Sequence, residues 1–168
     1  MEAVASSGAA LVTLPTDEQI LITREFNAPK HLVYKAWTTP ELVKRWWSGQ
    51  RGVVLSAEID LRVGGKWRYV MTACEGAEAA FHGEFREIVP NERIVTTEVY
   101  EMPDADPLPP DDEPLNVITF EEADGRTTLT LLVQTTNKEL RDMIIGSGME
   151  IGMNEALDAL ERVAISLG

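Results

Sequence analysis

Hydrophobic residues near the end of the chain recur at the spacing of one helix face. They fall at i, i+4, i+7, i+8, i+11, i+14 and i+18, as a period of about 3.6 residues requires. The members of this stripe are Met149, Met153, Ala156, Leu157, Leu160, Val163 and Leu167. Polar side chains such as Glu150, Asp158 and Glu161 fall on the other side. The pattern predicts one long amphipathic helix over residues 137–167 that packs its apolar side against a sheet.

Three small residues interrupt this predicted helix at Gly146, Ser147 and Gly148. An interior glycine costs about 1 kcal/mol relative to alanine, so the helix should bend or weaken here. Asn137 is the predicted N-cap, because its side-chain oxygen can accept from a free amide of the first turn. A break in the main packing helix indicates that something fits beneath it.

The first half of the chain begins with an alternation of side chains. Ile20, Ile22, Arg24 and Phe26 alternate with the residues between them, which predicts a first strand. Pro29 then favours the start of a short helix with Trp37 on its apolar face. A second short helix is predicted over residues 41–47, since the residue before Pro40 is disfavoured in the helical conformation.

From residue 53 onward, runs rich in β-branched and aromatic residues are separated by turn residues about every ten positions, as in an antiparallel meander. Six strands are predicted here, over residues 53–61, 66–73, 80–89, 93–101, 115–122 and 126–135. Residues 102–114 are rich in proline and aspartate and predict a mobile loop. The predicted fold class is therefore α+β, with residues 1–16 as a flexible tail and residues 17–168 as one domain.

The charge and the cysteine content of the chain limit which kinds of molecule it is expected to bind. A net charge of -13 repels nucleic-acid phosphates and anionic lipid headgroups, so neither nucleic acid nor membrane insertion is expected. Cys74 is the only cysteine, which excludes a disulfide within the chain and fits a reducing compartment. We therefore expect a cytoplasmic protein, a monomer or homodimer, without metal or other cofactor.

Residue types that carry chemistry are few and scattered. No serine has the strand-to-helix context of a hydrolase nucleophile, and His31 fits an exposed helix residue. No catalytic residue is predicted; if the protein is an enzyme, the polar candidates are His82, Glu84 and Tyr69.

Large apolar side chains are more conspicuous than polar ones. Aromatic residues pack in most cores, yet methionines beneath a bent helix also line adaptable pockets. The residues predicted to line a ligand cavity are Trp37, Trp46, Trp47, Trp67, Tyr69, Phe81, His82, Phe120, Met149 and Met153.

Several motifs resemble those of one known family, the homologues of the activator of the heat-shock-protein-90 ATPase, in the START-like, polyketide-cyclase and birch-pollen-allergen superfamily. The motifs are PELVKRWW at residues 40–47, DLRVGGKWR at 60–68, GEFREIVPNERIV at 83–95 and SGMEIGMNEALDAL at 147–160, with residues 24–29 before them. Where relatives commonly carry Gly-Trp in the last motif, this chain has Gly152 and Met153.

The resemblance implies a helix-grip fold, in which a curved seven-stranded antiparallel sheet wraps a long C-terminal helix around a cavity. This scaffold hosts lipid carriers, cyclases, hydrolases and chaperone partners. We expect a binding domain for a small apolar or amphipathic molecule, with the cavity mouth near Trp46, Trp47 and residues 102–114. The alternatives are a chaperone-associated protein-binding domain and a cyclase-like or hydrolase-like enzyme.

Overall fold

Nine strands and four helices follow one another in the computed structural model, which describes residues 10–48, 52–73, 78–101, 113–146 and 149–168. The strands are β1 (Leu11–Thr13), β2 (Gln19–Phe26), β3 (Gly52–Ile59), β4 (Lys66–Ala73), β5 (Glu78–Val89), β6 (Arg93–Thr97), β7 (Val99–Glu101), β8 (Leu115–Ala123) and β9 (Arg126–Gln134). The helices are α1 (Lys30–Thr38), α2 (Pro40–Val43), α3 (Lys138–Gly146) and α4 (Met149–Ser166). The predicted α+β helix-grip fold is confirmed.

One antiparallel sheet contains all of these strands, in the order β1-β2-β9-β8-β6-β5-β4-β3, with β7 beside β5. Strand β5 is the longest at 12 residues and pairs with three strands, with β4 along one edge and with β6 and β7 along the other. Its first half pairs with β7 and its second half pairs with β6. The chain therefore leaves one ladder and joins another at Glu98, the residue between β6 and β7.

The inward face of the sheet carries the core, because alternate residues of each strand point to one side. In β2 the predicted alternation holds, with Ile20, Ile22 and Phe26 fully buried. In β8 the inward positions include Ile118 and Phe120, which are also buried. Helices α1 and α4 cover this face and contact each other.

Helix α4 is tied to β2 by a buried cation. Arg24 lies on the inward face and is 1% exposed. Its Nη1 is 2.9 Å from Asp158 Oδ1, its Nη2 is 3.0 Å from Glu161 Oε1, and its guanidinium lies 5.0 Å from the ring centre of Phe26. The second oxygen of Glu161 accepts from the Asn27 amide at 2.9 Å. The prediction that Glu161 lies on a solvated side is therefore wrong, since its side chain is only 16% exposed.

Other predictions need correction at their boundaries. Leu11–Thr13 pairs with β2, although the sequence places it in the flexible tail. The predicted strand 93–101 is two strands, which together with β1 makes nine strands in the described ranges rather than seven. The predicted helix 41–47 ends at Val43 and continues as turns.

The predicted long helix is described in two parts, α3 up to Gly146 and α4 from Met149, and the predicted bend at residues 147–148 lies outside the described residues. Asn137 is its cap as predicted, because its Oδ1 accepts from the Leu140 amide at 2.8 Å. Most of the predicted loop, residues 102–112, lies outside the described residues. No described helix is long and apolar enough to cross a membrane.

Candidate functional site

Seven aromatic rings from five parts of the chain meet on the inward face of the sheet. Neighbouring ring centroids are 4.7 to 6.3 Å apart, mostly at steep angles that suit aromatic pairs. We call these residues the aromatic cluster: Trp37, Trp46, Trp47, Trp67, Tyr69, Phe81 and Phe120. All seven were predicted from the sequence to line one cavity, and the structure brings them together.

Trp46 and Trp47 are adjacent in the turns after α2 but have different surroundings. Trp46 is 2% exposed, and its indole N–H donates to the Ala36 carbonyl at 2.9 Å, which fixes the turn against α1. Trp47 is only half-buried and contacts the strands instead, with its ring 4.8 Å from Tyr69 and 5.8 Å from Phe81. Trp46 therefore closes the core, whereas Trp47 keeps part of its surface accessible.

Exposure increases along the rings that lead away from Tyr69. Tyr69 is 5% exposed, Phe81 is half-buried, and Tyr100 of β7 is 52% exposed. Tyr100 stacks on Phe81 with centroids 4.9 Å apart and planes at 14°. Together with Trp47, these rings form an apolar path from the interior to the surface.

Polar side chains lie among these rings on the inward face. The indole N–H of Trp67 donates to Thr96 Oγ1 at 2.7 Å, and that hydroxyl donates onward to a backbone carbonyl. Asn116 is buried in β8, and its amide donates to Glu98 Oε1 at 2.7 Å. These bonds satisfy groups that would be costly to bury alone.

Glu98 is the residue with the most unusual environment. It keeps part of its accessible surface, yet the surrounding protein desolvates its carboxyl and raises its pKa to about 7, against the opposing effect of the Asn116 hydrogen bond. Burial raises the pKa of Tyr69 well above its usual range, and the nearby charge of Glu98 raises it further. The site is therefore an apolar aromatic surface with one carboxyl that changes charge near neutral pH.

Comparison with known proteins identifies the family. The family model "Activator of Hsp90 ATPase homolog 1-like protein" matches residues 27–164, most of the chain. The chain belongs to this activator-homologue family. No curated protein sequence matches this one.

Solved structures of other proteins show the same fold. A protein from Rhodobacter sphaeroides is 23% identical, with a TM-score of 0.83 over 95% of this chain and 99% of that one. A protein from Mycobacterium smegmatis is 22% identical, with a TM-score of 0.82 over the same shares. An activator-homologue-like protein from Aeromonas hydrophila is 21% identical, with a TM-score of 0.63 over 88% of this chain and 94% of that one.

Three residues predicted to line the cavity of this activator homologue are not members of the aromatic cluster. Met153 is half-buried and packs against the core. Met149 begins α4, but its side chain lies outside the described part of the structure. His82 lies in β5 beside Phe81 and therefore points to the outward face of the sheet.

His82 belongs to an ion cluster on that outward face. Its Nδ1 is 2.7 Å from Glu101 Oε2, and Arg68 binds the same carboxylate through two hydrogen bonds of 2.9 and 3.0 Å. The hydrogen bond from Arg68 is the main reason that the pKa of Glu101 falls to about 2. An open depression of about 410 Å³ beside the cluster is lined by Glu58, Lys66 and Arg68, among others.

The three polar residues considered for an enzyme do not form one site. Tyr69 faces inward, whereas His82 and Glu84 occupy alternate positions of β5 that point outward. Glu84 pairs with Arg86 at 2.9 Å. Among the described residues, no group of three or more histidine, cysteine or acidic side chains is placed to hold a metal ion.

Sequence reasoning missed Glu98 and Asn116. Asn116 precedes Ile118 and Phe120 in the same period-two pattern, so the alternation in β8 could have placed it inward. Glu98 follows the same alternation as Ile94 and Thr96, which places it inward, but a glutamate in a strand gave no reason to expect burial.

Proposed function

We propose that this protein binds a small apolar or amphipathic molecule against the aromatic cluster. The observation that carries this proposal is the accessible surface left on Trp37, Trp47 and Phe81 beside buried rings. Ligand sites are mostly apolar and aromatic with a few placed polar groups, and here Glu98 and Asn116 supply the polar groups. The half-buried Met153 adds an adaptable side chain nearby.

Titration with a neutral naphthalene probe tests the proposal. Because four tryptophans belong to the cluster, binding should change the intrinsic tryptophan emission, and a second probe should compete with the first. Trp47→Leu removes a half-buried indole that contacts Tyr69 and Phe81, and it should weaken probe binding at least about tenfold, which corresponds to about 1.4 kcal/mol.

The matched control is Leu55→Ala, which shortens an apolar side chain that is exposed on the edge strand β3. This variant should bind the probe as the wild type does. Equal affinity of the wild type and Trp47→Leu, with both proteins folded by circular dichroism, would reject the aromatic cluster as the binding surface.

A protein-binding role is the second candidate, because the name of the family refers to activation of an ATPase. Several apolar side chains are exposed, including Val53 and Leu55 on the open edge of β3 and Met143 on α3. An ATPase assay with purified heat-shock protein 90 separates the two candidates. We expect no stimulation, and stimulation lost in Val53→Ser but kept in Trp47→Leu would favour protein binding.

A further inference from the structure

Glu98 is a carboxyl without a cationic partner in the described part of the structure. By contrast, the buried cation Arg24 has two acidic neighbours, and Glu101 has Arg68 and His82. Glu98 has the neutral amide of Asn116 at 2.7 Å. A nearby cation stabilises an enclosed carboxylate. Without that cation, most of the cost of removing the carboxylate from water remains.

The surroundings of this carboxyl favour a positive ligand. Glu98 lies two residues after Thr96, which binds the Trp67 indole at 2.7 Å, and two residues before Tyr100, which stacks on Phe81 at 4.9 Å. Alternate positions share one face, so the carboxyl lies on the side of the sheet that carries these rings. The faces of aromatic rings carry partial negative charge and attract cations, most strongly for tryptophan. A carboxylate on the same inward face as these tryptophan and tyrosine rings is therefore complementary to an organic ammonium group.

The net charge of the protein also favours a cationic ligand. With a net charge of -13, the protein attracts cations and repels anions over distances of about one Debye length, roughly 8 Å at physiological salt. An anionic ligand such as a fatty acid would meet this repulsion and then place its carboxylate against that of Glu98. Both effects disfavour acidic amphiphiles.

We propose that the ligand is an amphipathic amine, whose cationic nitrogen pairs with Glu98 while its apolar body lies on Trp47 and Phe81. This inference rests on the proposed function and specifies its ligand class. Asn116 is a positioning residue, because its amide holds one carboxylate oxygen and leaves the other for the ligand.

Three probes with one apolar body test the charge preference: 2-naphthylmethylamine, 2-naphthalenemethanol and 2-naphthoate. At pH 8 Glu98 is mostly ionised and the alkylamine is protonated. A hydrogen bond to a charged group exceeds a neutral one by roughly 1.5 kcal/mol, so the amine should bind about tenfold more tightly than the alcohol. The carboxylate probe should bind most weakly.

Two variants test whether Glu98 causes the preference for the amine probe. Glu98→Gln keeps the shape and the hydrogen-bonding capacity of the side chain, and it should remove the advantage of the amine while leaving the affinity for the alcohol unchanged. Glu84→Gln changes the net charge equally but lies on the outward face, so it should retain the advantage.

Each outcome of the titrations has a defined meaning. If the wild type binds amine and alcohol equally, the inference is wrong although the proposed function stands. A preference that persists in Glu98→Gln also overturns the inference, because the charge is then recognised elsewhere. If none of the three probes binds, the proposed function fails and the inference fails with it.

Discussion

Replacing Glu98 by glutamine should stabilise the protein at pH 8 and leave its stability near pH 5 almost unchanged. The folded protein holds the proton of Glu98 up to a pKa of about 7, whereas a glutamate in the unfolded chain has its ordinary value of 4.5. The folded state thus binds more protons between these two values, so the free energy of unfolding falls as pH rises from 4.5 to 7.

The size of the effect follows from the shift of the pKa. A difference of roughly 2.5 units corresponds to about 3 kcal/mol at most, and the partial exposure of Glu98 reduces this to about 1–3 kcal/mol. Glutamine cannot ionise and resembles the protonated side chain, so it avoids this cost above pH 7. For a domain of this size, the gain raises the midpoint of thermal unfolding at pH 8 by about 2–10 °C.

Thermal unfolding followed by circular dichroism at pH 5 and pH 8 measures the difference. Glu84→Gln serves as the control, because it removes an exposed carboxylate of equal charge and should shift both midpoints alike. The reasoning is wrong if Glu98→Gln changes the midpoint by the same amount at both pH values, or if it destabilises the protein at pH 8.

Three further predictions concern the folded framework. Arg24→Met should lower the free energy of unfolding in urea by about 3 kcal/mol, because Glu161 then lacks its buried cation; an unchanged urea midpoint would contradict this role. Gly83→Ala should destabilise by about 1–3 kcal/mol or more, since the new Cβ would lie 1.8 Å from the Thr97 carbonyl oxygen; a wild-type melting temperature would show that β5 can shift. Glu101→Gln should reduce the loss of stability that the wild type shows as pH falls from 4.5 to about 2. The Glu101 carboxylate stabilises the folded protein above this pH range, because its pKa is lowered on folding. An acid titration identical to that of the wild type would exclude the ion cluster as the source of this stability.

The periodicity of apolar residues correctly predicted the elements that bury one face in the core. The alternation of Ile20, Ile22 and Phe26 placed β2 correctly, and the stripe through Leu157 and Leu160 placed α4. Both patterns work because each residue's neighbours along the chain determine which side it faces. The aromatic cluster followed from the same patterns together with the family motifs.

Features that depend on distant partners could not be predicted in this way. Leu11–Thr13 becomes a strand because β2 offers it an edge, which three residues of sequence do not reveal. His82 was predicted to line the cavity. In the structure it lies opposite Arg68 in the neighbouring strand and binds Glu101, so its side chain is on the outward face of the sheet. Glu98 follows the alternation of Ile94 and Thr96, yet the desolvation of its carboxyl depends on the protein packed around it, which the local sequence does not reveal.

The pair that ties α4 to β2 also joins distant parts of the chain. Arg24 and Glu161 are 137 positions apart, so forming this pair closes a loop that contains most of the chain. Closing such a loop costs conformational entropy, and we expect the pair to be absent from the folding transition state. Arg24→Met should then speed unfolding more than it slows folding, because an interaction missing from the transition state mainly affects the rate of unfolding. The pair would thus lengthen the lifetime of the folded protein.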